Sequence, residues 1–248
     1  MTKRKNLRFK MFSIFVVLFI TIFFILNNCS QSQSITMPKN NLKKKHHLED
    51  GSFKNNYSNS INKPFSDLIK WRWNRVLPEP FTFKLDKNDP KFLQNNRDIA
   101  TLTWIGHSTL LIQKNGLNIL TDPHLTLRAS PLSFLGPKRY TPPGLSLEDL
   151  PIIDVILISH SHYDHLDKLT IKKVYERQSE NPPKIFVPLK LKEWFLNLGI
   201  NHVTELDWNE SSKLGEWHVH AVPVQHWSSR TPFDRNKTLW AGWVMETE

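Results

Sequence analysis

Four metal-competent side chains crowd into six positions of this chain, His160-Ser161-His162-Tyr163-Asp164-His165, directly after the apolar run Val155 to Ile158. β-Branched residues dominate that run and a polar turn follows at once, so it reads as a short buried strand that delivers the cluster at its end. Zinc takes nitrogen and oxygen ligands at about 2.0–2.2 Å, and ligands this close in sequence can converge on one or two ions. A chain with this feature must form a strand whose end opens onto a polar site. That requirement limits the fold more than any other stretch does.

The rest of the sequence supplies the layers around that strand. Ala100 to Trp104 starts a sheet, and Leu110–Ile112 pairs with Leu117–Thr121 across Asn115-Gly116, which suits a type I′ hairpin. Asp167 caps a helix running to about Glu180, with Leu169, Val174 and Tyr175 facing inward. A strand over 184–187, a helix over 191–198 stopped at Gly199, and strands over 203–206 and 217–222 follow, and Thr238 to Val244 opens a last one. Strands alternating with helices indicate an α/β or layered sandwich architecture. At 248 residues with 39% hydrophobic and 11% aromatic content, the chain can bury a sizeable core.

The first 63 residues read differently. A basic stretch (Lys3, Arg4, Lys5, Arg8, Lys10) precedes the apolar run Met11 to Leu26, which is shorter than a comfortable membrane span and has the form of a signal-peptide core. Residues 1–30 are therefore expected to be a signal peptide or membrane anchor. Cys29, the sole cysteine, excludes an intrachain disulfide and resembles a bacterial lipoprotein acceptor. Either reading exports the domain, to the periplasm or cell envelope. Residues 31–63 are polar and aperiodic and read as a linker, with His46-His47 either solvated or metal-binding. The domain is expected over 64–248. It opens on a short amphipathic helix around Leu68, Ile69 and Trp71 to Trp73, whose aromatics pack on the domain or touch a membrane.

Four further stretches carry candidate chemistry. His107, at the Gly106-His107-Ser108 turn, and Asp122, at a strand end, either orient metal ligands or serve as a surface or packed side chain and a local turn cap. Residues 128–143, rich in Pro and Gly, form a loop whose Arg128, Lys138 and Arg139 either receive a phosphate or stay solvated. His218 and His220 share one strand face and read as polar alternation. His226, beyond Pro223, sits at a strand-to-loop junction suited to completing the His160 and His162 pair. The formal charge of +10 adds a general attraction for anionic lipid, nucleic acid or phosphate.

The His160-x-His162-x-Asp164-His165 cluster resembles the signature of the metallo-β-lactamase superfamily, whose fold is an αββα sandwich. Gly106-His107-Ser108-Thr109, Thr121-Asp122-Pro123, Arg128-Ala-Ser-Pro131, Gly136-Pro-Lys-Arg139, Glu205-Leu-Asp-Trp208 and Gln225-His226-Trp227 resemble, within it, the N-acyl-phosphatidylethanolamine-hydrolysing phospholipase D group and its bacterial relatives. The resemblance implies one zinc on His160, His162 and His226 and a second on Asp164 and His165, with Asp164 also catalytic. Tyr163 and Arg139 would contact a phospholipid at a membrane surface, with no nucleic-acid partner. It also implies a C-terminally incomplete sandwich, because the family pattern continues beyond Glu248 to further ligands. Two alternatives stay open: another hydrolase of this fold, such as a sugar-phosphate lactonase or nuclease, and an inactive membrane-tethered binding protein.

Overall fold

Buried on both faces, strand β4 (Val155–Leu157) is the centre of the molecule: Val155 and Ile156 are fully inaccessible and Leu157 nearly so. That double burial is why its sequence shows no polar alternation. A computed structural model describes residues 44–57, 65–76, 79–82 and 84–247 of the chain. Contacts divide the chain into two units, Met1–Leu42 and Lys43–Glu248. The targeting segment, Cys29 and most of the expected linker lie outside the described residues.

Six strands form the larger sheet in sequence order, β1 (Thr101–Gly106), β2 (Thr109–Lys114), β3 (Leu117–Thr121), β4, β5 (Lys184–Pro188) and β6 (Val203–Leu206). The first three pair antiparallel, and β3 to β6 run parallel. The β2–β3 hairpin turns through Asn115 and Gly116, both with positive φ (45° and 77°), as a type I′ turn requires. A smaller antiparallel sheet, β7 (Ser211–Leu214), β8 (Trp217–Val222) and β9 (Gly242–Thr247), lies against the first. Strand β7 escapes a reading by pattern because its four residues are half-exposed and carry little apolar content.

Four helices are described: α1 (Phe65–Asn74), α2 (Pro90–Asn95), α3 (Lys168–Arg177) and α4 (Lys192–Leu196). Asp167 caps α3 by accepting from Leu169 N. One core cluster joins Ile171, Val174 and Phe195 of the helices to Leu111, Leu120, Ile156 and Ile185 of the large sheet. A second joins Ile119, Val155, Leu157 and Phe186 on the opposite face to Val219, Ala221, Trp208 and Trp240. Each fully buried Leu, Ile or Val adds about 1.5–3 kcal/mol relative to exposure. The result is a helix–sheet–sheet stack, an α/β fold of the expected layered kind.

Three local expectations are corrected. Leu169 is 55% exposed, because the buried stripe of α3 runs through Thr170, Ile171 and Val174 instead. The aromatics of α1 do not pack away: Trp73 is 89% exposed and Trp71 55%. Finally, residues 44–57 are not a free linker but a strap on the domain. Phe53 is buried in the second core cluster, its N–H donates to Asn236 O at 2.9 Å, and His46 and His47 reach Asp207 at 2.7 and 2.9 Å.

Candidate metal centre

The parallel register of β3 and β4 builds the first part of the site. Thr121 pairs with Leu157, so the next residues along each strand, Asp122 and the turn Ile158–Ser159, emerge side by side at the carboxyl end of the sheet. Asp122 N–H donates to Leu157 O (2.9 Å), and Asp122 Oδ1 accepts from Ser159 N–H (2.7 Å). Crevices at such strand ends are the usual ligand positions of parallel sheets. Asp122 holds φ at +37° and His107 at +52°, both uncommon for residues with a side chain.

From this edge the cluster folds into two groups of ligand atoms. His160 Nε2 lies 2.7 Å from His162 Nδ1 and 3.0 Å from His226 Nε2. His107 Nε2 lies 2.9 Å from Asp164 Oδ2 and 3.3 Å from His165 Nε2. Ligand atoms about 3.3 Å apart are what a tetrahedral ion with bonds near 2.0–2.1 Å requires.

The donor chemistry fits a metal. Ser159 Oγ donates to Asp122 Oδ2 (2.7 Å) and sits 2.8 Å from His160 Nδ1, so it accepts from that nitrogen, which leaves the Nε2 lone pair facing the other two imidazoles. His162 Nε2 is buried without a partner, so its only engaged nitrogen is the one that faces His160. Burial, reinforced by the neighbouring imidazoles, pushes His160 down to about 2 and His162 down to about 4. Burial lowers His226 as well. Three imidazoles that stay unprotonated at neutral pH, lone pairs converging, form a donor set that fits a cation. Asp164 is held ionised: burial opposes its charge, but the bond from His107 and the proximity of His165 outweigh it. That same bond to Asp164 raises His107, outweighing the cost of burial.

Asp122 completes the second group without joining it. Its Oδ2 lies 2.8 Å from His165 Nδ1, so the opposite nitrogen, Nε2, is turned toward Asp164 and His107. Arg230, which no sequence pattern flagged, staples the His160–His165 loop: its Nη1 donates to Ser161 O (2.7 Å) and Leu166 O (2.9 Å), and its guanidinium stacks 4.0 Å from the Tyr163 ring centroid.

A cavity of about 800 Å³ opens over both groups, lined by His107, His162, Tyr163 and Asp164 and walled by Trp71, Phe81, Trp104, Tyr140 and Trp227. Lys138 and Arg139 line it too. Arg139 Nη2 donates to His124 O (2.5 Å) and its Nε to Thr126 O (3.4 Å), which fixes the guanidinium plane. Its Nη1 lies against Gly106, where a Cβ would come within 2.6 Å. Arg128 is committed elsewhere, donating to Gly136 O (2.6 Å) to close its own loop. His218 and His220 lie stacked on β8, with His220 paired to Glu246 (2.9 Å) and no part in either group.

A third group, His46, His47 and Asp207, has metal-like composition but a different chemistry. Lys44 Nζ lies 2.8 Å from Asp207 Oδ2, so a cation already neutralises the buried carboxylate and the two imidazoles bond to it directly. It is an anchor for the strap.

Known proteins bear on this arrangement. The family model described as a β-lactamase superfamily domain matches residues 117–248, just over half of the chain. The N-acyl-phosphatidylethanolamine-hydrolyzing phospholipase D 1 of Caenorhabditis elegans is 46% identical over 153 residues, 58% of this chain and 42% of that protein. The mitochondrial enzyme of the same description from Saccharomyces cerevisiae is 34% identical over 154 residues, 58% of this chain and 31% of that protein. The chain thus spans less than half the length of either relative. A solved metallo hydrolase from Ignicoccus hospitalis aligns at 21% identity over 60% of this chain and 56% of that one, with a TM-score of 0.43. With the family model covering more than half of its length, the chain belongs to the β-lactamase superfamily domain family.

Proposed function

We propose that this chain carries the metal centre of a zinc-dependent phosphodiester hydrolase of the N-acyl-phosphatidylethanolamine phospholipase D type, releasing an N-acylethanolamine and phosphatidic acid. The observation that supports it most is the opening of two metal-competent groups onto one aromatic cavity that also holds a fixed arginine. His160, His162 and His226 would hold one ion, and Asp164 and His165 a second. A metal pair supplies Lewis acidity and an activated water when bound.

The chain's own residues would do the rest. Arg139, its plane set by His124 and Thr126, presents Nη1 to a phosphate oxygen as a charge-assisted donor. Ionised Asp164, bonded to His107, would also accept a hydrogen from the attacking water and so orient it. Tyr163, held by Arg230, meets the substrate beside the metal loop. Trp71, Phe81, Trp104 and Tyr140 give the cavity an apolar wall suited to acyl chains. The membrane is reached through the basic and apolar N-terminal segment. Among the described residues no helix is long and apolar enough to cross a membrane.

The test is metal content of the purified 248-residue chain, with hydrolysis of an N-acyl-phosphatidylethanolamine followed in the same sample. Bound zinc with release of N-acylethanolamine is the expected result. Bound metal with turnover of a lactone or RNA and none of the lipid would overturn the substrate reading.

A further inference from the structure

His226 has to meet His160 Nε2 at 3.0 Å, yet the two are 66 residues apart and are carried by different parts of the fold. His160 rides on the end of β4, whereas His226 sits in the irregular segment between β8 and β9, where no ladder fixes the backbone. The carboxamide of Asn55 does that instead. Its Oδ1 accepts from His226 N–H (3.0 Å) and its Nδ2 donates to His226 O (2.8 Å). One planar amide thereby satisfies both main-chain groups of one residue, as a neighbouring strand would.

The clamp is braced on each side. Trp240 Nε1 donates to Asn55 Oδ1 (3.1 Å) and to Val224 O (2.9 Å), so the same indole grips the strap and the approach to His226. Asn236 accepts from Phe53 N–H through its carbonyl and exchanges bonds with Ser228. The strap itself is tied down by Phe53 in the core and by His46, His47 and Lys44 on Asp207.

We infer that Asn55 is a positioning residue for the metal centre, fixing where His226 Nε2 stands relative to His160 and His162, so that the strap is part of the site. The inference rests on the reading of these three histidines as metal ligands. Groups that orient ligands typically change metal affinity about 10- to 100-fold when removed.

Cobalt binding to the full chain, by competition with a chelator and by visible absorption, tests it. Asn55→Ala is expected to weaken binding about 10- to 100-fold and to alter the cobalt spectrum. Asn55→Asp keeps the acceptor for His226 N–H and loses the donor to its carbonyl, and is expected to fall between wild type and Asn55→Ala. Asp50→Ala, on the same strap, removes contacts to Ser52 and to Lys237 of the β8–β9 segment without touching His226, and should bind as wild type does. Unchanged affinity and spectrum in both Asn55 variants would overturn the assignment, and so would an equal loss in Asp50→Ala. A wild-type chain that takes up no cobalt would overturn the metal reading itself, and the assignment with it.

Discussion

Asp122 Oδ2 lies 2.8 Å from His165 Nδ1 while its Oδ1 accepts the Ser159 N–H at 2.7 Å, so one carboxylate sets both the imidazole and the turn that carries His160. Asp122→Ala removes both bonds. Metal affinity of the second group is expected to drop about 10- to 100-fold. Asp122→Asn keeps the acceptor toward Ser159 but offers an N–H to His165, which favours the wrong tautomer. Zinc titration of the two variants checks this, and equal, wild-type affinity in both would contradict it.

His226 supplies the third lone pair of the first group from the irregular segment between β8 and β9. His226→Ala should leave His160 and His162 as a pair and abolish tight binding of one ion. The fold should survive, because His226 is only half-buried and belongs to neither apolar cluster. Metal-to-protein stoichiometry, read beside circular dichroism, distinguishes a lost site from a lost fold.

Gly106 is required by its neighbour as well as by its own backbone. Its φ of +146° suits glycine, and a Cβ would stand 2.6 Å from Arg139 Nη1. Gly106→Ala is expected to displace the guanidinium and mimic Arg139→Ala, with KM for a phosphodiester substrate rising about tenfold or more, the loss of a charge-assisted bond worth about 1.5–3 kcal/mol. Arg139→Lys should not restore it, since an ammonium cannot keep the bonds to His124 and Thr126 while offering a second, fixed donor to the substrate. Steady-state kinetics on the three variants decides the matter.

Acid should release the strap in two stages. Burial lowers His46, so below the ordinary imidazole value near 6.5 the unfolded chain binds a proton that the folded one refuses, and stability falls. Burial would raise Asp207, but bonds from Lys44 and His46 outweigh it and its folded value lies below the ordinary one. Its contribution is full above about pH 3.9 and fades as pH drops through the folded value. Asp207→Asn is therefore expected to cost about 2 kcal/mol at neutral pH, with the gap from wild type closing below about pH 4. Melting midpoints of both chains across pH provide the check; a gap independent of pH contradicts it.

Much of this was legible in the sequence because it depends on near neighbours. The buried run at 155–158 and the His160 to His165 cluster are local, and a strand end is where such a loop must lie. The Asn115-Gly116 turn and the Asp167 cap rest on one or two residues each, and both are present as read. His226 was legible only through its junction position and the company of Gln225 and Trp227. The periodicity of α3 misassigned Leu169, since one step of 100° separates a buried from an exposed face.

The sequence by itself determined which residues could bind a metal, the strand that presents most of them and the layered α/β class. Tertiary structure decided how they divide. His107 joined Asp164 and His165 because β1 and β2 meet at its turn, and Asp122 reached His165 because of the β3–β4 register. A polar tract with no apolar period became a strap because Asp207, some 160 residues away, needed donors, and because the backbone of His226 had unpaired groups that Asn55 could fill. Hydrogen-bond demand of buried groups acts across the whole chain, and no window of neighbouring residues contains it.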